Sequence, residues 1–174
     1  MLLGAVLLVG GGAALTRFNR KAEVFAGSSR RAFNAEQFAL LEQVCEVIIP
    51  TTDTPGAIVA GVPDFMRQIL EEWGTEHSRA EIEGVLEAVE KLAWSRFGAA
   101  FLELVPDRRL DVMKVFDGER LAAKDPAYAK FKHLVLVGYY QSEIGATREL
   151  RYELVPGAWR SCVPLSEIGR ASAV

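Results

Sequence analysis

A helical periodicity that stops at Pro50 and resumes only near Gly61 is the strongest constraint on this chain. The stretch Cys45-Glu46-Val47-Ile48-Ile49-Pro50-Thr51-Thr52-Asp53-Thr54-Pro55-Gly56-Ala57 joins two helix patterns. Proline disfavours helical backbone in the residue before it, so Ile49 marks a helix boundary. Pro55 fixes φ at one turn position and Gly56 accepts positive φ at the next, which predicts a tight turn. Most helix connections are shorter and plainer. Two readings follow: a rigid structural corner, or a shaped surface loop that meets another molecule. Pro/Gly turns carry no reactive group, which weighs toward the corner.

Five helices are predicted around this break. The first opens at Asn34, whose spacing to Gln37 fits a capping box, and carries Phe38, Leu41, Val44, Cys45 and Ile48 at helical intervals. The second opens at Gly61-Val62-Pro63-Asp64, buries Phe65, Met66, Ile69, Leu70 and Trp73, and stops at Gly74. Ser78 is the expected cap of a third, over 79–97, with Ile82, Val85, Leu86, Val89, Leu92 and Ala93 as its stripe. A fourth, over 106–121, turns Leu110, Met113 and Phe116 inward. Asp125-Pro126 starts the fifth by the cap-then-proline signal, and it runs to near Gly145. Its Leu134 to Tyr140 portion is apolar nearly all round, which marks a central helix or one with a face against another protein. From residue 146 the pattern turns irregular. The expected architecture is therefore all-α: an irregular bundle of about five helices with an extended C-terminal arm and an apolar N-terminal segment.

Residues 1–33 and 34–174 separate on composition. Residues 1–16 are apolar, uncharged and glycine-rich, but shorter than the roughly 20 residues a helix needs to span a bilayer. They suit the apolar core of an export signal, although no positive region precedes them. Val24-Phe25-Ala26 before Gly27 is a weak cleavage pattern. The pair Arg30-Arg31 is followed by polar Asn34-Ala35-Glu36-Gln37 where a twin-arginine signal needs an apolar run. The other reading is an apolar arm packed on this protein, a partner or a membrane. The rest, residues 34–174, reads as one helical domain.

The charge of −3 with interspersed acids and bases lacks the basic stripe of a nucleic-acid binder. Cys45 and Cys162 form no CxxC and no zinc site by themselves. A disulfide between them stays open, since bridging needs Cα atoms within about 7 Å. His77 with Glu81 four residues on reads as a solvated ion pair. Neither it nor His133 lies in a Glu-x-x-His or haem-attachment motif. No nucleophile elbow, phosphate loop or dinucleotide fingerprint occurs. Glu143 beside Tyr139 and Tyr140 offers an acid/base pairing, outweighed by the reading as an ordinary amphipathic helix end. No catalytic, cofactor or metal residue is assigned. A stand-alone helical enzyme or a metal- or haem-binding protein is the competing reading.

Three separated segments carry a resemblance. They are Ile48-Ile49-Pro50-Thr51-Thr52-Asp53-Thr54-Pro55-Gly56-Ala57 with Gly61-Val62 and Phe65; Phe131-Lys132-x-Leu134 with Gly138-Tyr139-Tyr140-x-Ser142-Glu143-x-Gly145; and Tyr152-x-x-Val155-Pro156-Gly157-x-Trp159-x-x-Cys162-x-Pro164-Leu165. In order and spacing the chain resembles the gluconate 2-dehydrogenase subunit 3 family. The resemblance implies a small helical subunit without cofactor, in a periplasmic or periplasm-facing, membrane-associated complex. If the N-terminal segment is not a signal, the cytoplasm is implied instead. The implied partner is a large FAD-dependent flavoprotein of the glucose–methanol–choline type that oxidises sugars, sugar acids or glycosides, with a cytochrome subunit in some complexes. The implied work is to stabilise that flavoprotein and assist its twin-arginine export, though this chain lacks the arginine pair before its apolar run. Aromatics and arginine dominate interface energies, so Tyr139, Tyr140, Glu143, Trp159, Arg160 and the loop Thr51, Thr52, Asp53, Thr54, Pro55, Gly56 are the expected partner contacts.

Overall fold

The computed structural model describes residues 32–155, 157 and 162–173. The expected N-terminal segment up to residue 31, and Trp159 and Arg160, lie outside them. Helix α1 spans Ala35–Ile48 and opens with the predicted capping box. Asn34 Oδ1 accepts from the Gln37 amide at 2.8 Å, and Gln37 Oε1 accepts from the Asn34 amide at 3.0 Å. It ends where Pro50 requires, with Ile49 already extended at φ −128°, ψ 86°. Helix α2 spans Val62–Glu72, entered through Gly61 at φ +74°.

Helix α3 spans Glu76–Phe97 and starts earlier than predicted. Thr75, not Ser78, is the cap: its hydroxyl accepts from the Ser78 amide at 3.1 Å, while Ser78 Oγ accepts from the Thr75 amide at 3.2 Å. A serine can take the reciprocal third position normally held by Glu or Gln, so Ser78 lies inside the helix. A 3-10 turn at Phe101–Glu103 leads to α4, Pro106–Ala122. Helix α5 covers Pro126–Tyr140, with Asp125 Oδ1 accepting from Ala127 N at 2.9 Å and Tyr128 N at 3.3 Å. It stops short of Gly145. Ser142 Oγ donates to the Tyr139 carbonyl at 2.7 Å and accepts from the Gly145 amide at 3.0 Å, which closes the end. A wide turn at Gly145–Glu149 follows, then β1 (Arg151–Tyr152), the one-turn α6 (Leu165–Ile168) and β2 (Ser172–Ala173). The two short strands pair in parallel, and nothing larger than this pair interrupts the all-α architecture of the described residues.

The core gathers Leu41, Val44 and Cys45 of α1, Met66 of α2, Val89 of α3, Phe116 of α4 and Phe131 of α5. Helix α5 packs on α2, α3 and α4, so it is central as predicted, yet Leu136 and Tyr140 remain exposed on its outer side. Helices α2 and α5 approach closely at Gly138, where a Cβ would stand 2.7 Å from the Phe65 ring and 3.3 Å from Val62. Two predicted core residues are exposed. Trp73 is 77 % exposed because it follows the last residue of α2, at φ −121°, and has left the helical phase. Leu110 is 40 % exposed, and Val112 takes the inward position beside Met113.

Cys45 and Cys162 are both free thiols, so the disulfide left open by the sequence is absent. Cys45 is sealed in the core with Sγ 3.9 Å from Met66 Sδ, and Cys162 faces solvent. Burial, with Glu46 and Glu42 nearby, pushes the Cys45 thiol far above its usual range, so it holds its proton. Native protein treated with maleimide is expected to label at Cys162 alone. Denatured protein without reductant is expected to label twice, by mass spectrometry.

Asp117 ties α4 to α5. Its Oδ1 accepts from Tyr128 OH at 2.8 Å and from Lys132 Nζ at 2.5 Å. Burial opposes its ionisation, but those two donors outweigh it and hold the carboxyl below the usual carboxylate range. A carboxyl with a depressed folded pKa stabilises above the unfolded value, about 3.9, and loses that contribution as pH falls through the folded one. Asp117→Asn is therefore expected to cost roughly 1 kcal/mol at pH 7 in urea unfolding and progressively less toward pH 2.

Candidate partner-docking corner

The connection between α1 and α2 is organised by a residue the sequence reading passed over, Glu46. Its carboxylate accepts from the Thr51 amide at 3.0 Å, the Thr51 hydroxyl at 2.8 Å and the Ile58 amide at 3.0 Å. Thr51 Oγ1 accepts in turn from the Gly56 amide at 2.9 Å. The backbone closes the corner further: Ala57 N donates to the Ile49 carbonyl at 2.9 Å, and Val62 N to the Ala57 carbonyl at 3.0 Å. A loop whose amides are satisfied internally does not depend on a partner for its shape.

Gly56 is required here for a different reason than predicted. Its φ is not positive. The reversal comes after it and ends at Gly61, the residue with positive φ. A Cβ on Gly56 would stand 2.5 Å from Glu46 Oε1 and 2.5 Å from the Thr51 amide nitrogen. The glycine is there to let the carboxylate in.

Two long-range bonds join this loop to the end of α5 and to the turn that follows it. Tyr139 OH donates to the Pro55 carbonyl at 2.9 Å, and the Thr54 hydroxyl donates to Glu149 Oε2 at 3.0 Å. The structure thus brings together two of the three segments that the sequence singled out. Thr51, Thr52 and Asp53 face solvent, with the Thr52 hydroxyl donating to Asp53 Oδ1 at 3.0 Å. Thr54 and Pro55 are half-buried and Gly56 is buried. Tyr139, expected at a partner surface, is 2 % exposed, because its hydroxyl is used inward on Pro55. Tyr140 is 42 % exposed and meets the Tyr139 ring edge-on at 5.4 Å. Glu143 is exposed, and its carbonyl accepts from the Thr147 hydroxyl at 2.7 Å. Ile58 and Val59 add exposed aliphatic surface where the loop enters α2.

The groups around this corner are hydroxyls, amides and carboxylates already engaged with one another. His77 pairs with Glu81 at 3.3 Å, as predicted, and His133 lies exposed on α5. Among the described residues no group of three or more His, Cys, Asp or Glu side chains is placed to hold a metal ion. No helix among them is long and apolar enough to cross a membrane. What the corner offers is a fixed shape with an exposed aromatic beside it.

No curated protein and no solved structure gives a significant match to the chain. The family model for gluconate 2-dehydrogenase subunit 3 matches residues 35–157. That span takes in all five long helices, the Glu46 corner and the turn after α5, and its description is that of one subunit of a dehydrogenase complex. The chain therefore belongs to the gluconate 2-dehydrogenase subunit 3 family.

Proposed function

We propose that this chain is the non-catalytic small subunit of an FAD-dependent dehydrogenase of the glucose–methanol–choline type, acting on sugars, sugar acids or glycosides. It holds the large flavoprotein subunit in a stable, exportable form, and the flavin and the chemistry belong to that partner. In some complexes a cytochrome subunit joins them. The site of action is the periplasm or the membrane surface facing it, and export follows the twin-arginine route, with the flavoprotein as passenger.

The family match over 35–157 carries this reading. The corner supports it physically. A loop already locked by Glu46 loses little conformational entropy when a partner docks, so more of the contact energy appears as affinity. Tyr140 supplies the kind of rigid aromatic anchor that dominates interface energies.

Co-expression of the chain with its flavoprotein tests both levels. The pair is expected to co-purify and the flavoprotein to lose solubility without the small subunit. Tyr140→Ala and Trp159→Ala are each expected to weaken the complex by about 2 kcal/mol, roughly thirtyfold in Kd. Undiminished complex with both variants would remove the proposed anchors. Turnover by the small chain purified alone would remove the non-catalytic assignment.

A further inference from the structure

At the opposite end of α1 from the corner, a groove of about 450 Å³ opens between the first turns of α1, the middle of α3 and the 3-10 turn. One leucine from each element makes its apolar floor: Leu40, Leu86 and Leu102. Its rim is anionic. Glu83, Glu87 and Glu90 recur along one face of α3, Glu36 comes from α1 and Glu103 from the turn. Among the described residues that line it, Lys91 is the one cation, and it pairs with Glu87 at 3.6 Å. Among the described lining residues, five carboxylates against one ammonium leave a local excess of four negative charges. Glu36 and Glu83 have no ion-pair or hydrogen-bond partner among the described residues.

The walls are fixed in advance. Glu90 accepts from the Phe101 amide at 3.1 Å, and Glu103 from the Ala100 amide at 3.3 Å. Arg109 donates to the Phe101 and Leu102 carbonyls at 3.1 and 2.5 Å and to Gln43 Oε1 at 2.5 Å, which pins the turn to α1. These bonds hold the backbone of the 3-10 turn against α1 and α3.

We propose that this groove docks a short cationic amphipathic helix of another polypeptide chain. Its aliphatic stripe would lie on the three leucines and its Arg or Lys residues would meet the carboxylates on the rim. The face of α3 from Glu83 to Glu90 is two turns long, about 10 Å, which matches two turns of such a helix. An anionic membrane surface would be repelled, and a second copy of the same acidic groove would repel it as well. This surface is separate from the Glu46 corner, since its α1 residues Glu36, Gln37 and Leu40 end about 9 Å short of Glu46 along the helix, and the proposal stands whether or not the corner binds a flavoprotein.

The test uses the full chain and a fluorescein-labelled peptide of about 14 residues, two-thirds Arg and one-third Leu, with Leu spaced to form one helical stripe. A peptide of the same composition with scrambled order is the control. The ordered peptide is expected to bind about tenfold tighter than the scrambled one, and the double variant Glu83→Lys, Glu87→Lys to weaken it by about tenfold or more. Leu102→Ser is expected to narrow the gap between ordered and scrambled peptides, while Tyr140→Ala leaves binding unchanged. Unchanged thermal melts establish that the groove variants remain folded. Equal binding of both peptides, or binding indifferent to the charge reversal, would overturn the proposal. So would sedimentation showing a dimer that the charge reversal dissolves, because the groove would then hold a second copy.

Discussion

Gly56→Ala is expected to destabilise the chain by about 3 kcal/mol, a fall in Tm of roughly 6–12 °C for a domain of this size. The new methyl group would stand 2.5 Å from a carboxylate oxygen of Glu46 and equally close to the Thr51 amide nitrogen. The Glu46 side chain can swing away, but doing so releases the Thr51 and Ile58 amides it holds. The backbone of Thr51 has less room to yield. Glu46→Ala by itself costs the three hydrogen bonds, about 1–3 kcal/mol. Combining the two substitutions is expected to cost clearly less than their sum, since the carboxylate that collides with the methyl group is then gone. Urea unfolding of the two single variants and the double variant reads this directly. Full additivity would mean that the glycine and the carboxylate do not share one space.

Tyr139→Ala is the second large effect, about 3–5 kcal/mol by analogy with aromatic-to-alanine changes in cores. The ring is 2 % exposed and is packed edge-on against Tyr140, so its loss leaves a cavity at the end of α5. Tyr139→Phe keeps the ring and removes only the hydroxyl bonded to the Pro55 carbonyl. It is expected to cost about 1 kcal/mol globally, with faster hydrogen exchange confined to the loop after Pro50. If the two variants cost the same, the hydroxyl rather than the packed ring anchors the corner. If the exchange in the loop does not change, the tie to Pro55 is not what holds it.

Which features were legible in the sequence follows from how far apart the interacting residues lie. Asn34 with Gln37, and Asp125 ahead of Pro126, act within one turn and are readable from spacing alone. The interior stripe of α3 is readable for the same reason, because each position repeats its neighbour's environment. Helix ends are harder: Trp73 fits the period of α2 on paper, but the helix has already ended, and the ring turns to solvent. Glu46 left no periodic trace, since two of its three hydrogen bonds reach residue 51 and the third residue 58, both outside its helix. Thr54 to Glu149 and Pro55 to Tyr139 span 95 and 84 residues, and no local rule predicts such pairs. The resemblance nevertheless rested on those same segments, because the loop and the end of α5 carry distinctive residues even when their contact is invisible. The acidic groove was out of reach, as three elements contribute to it and none alone looks unusual.

The thiol of Cys45 lies sealed beside Met66 while that of Cys162 faces water, so no covalent cross-link holds the helices together. Their assembly consumes no oxidant and waits on no thiol-exchange catalyst. The same packed shape is therefore accessible in a reducing milieu and in an oxidising one, and a change of compartment leaves the internal architecture untouched.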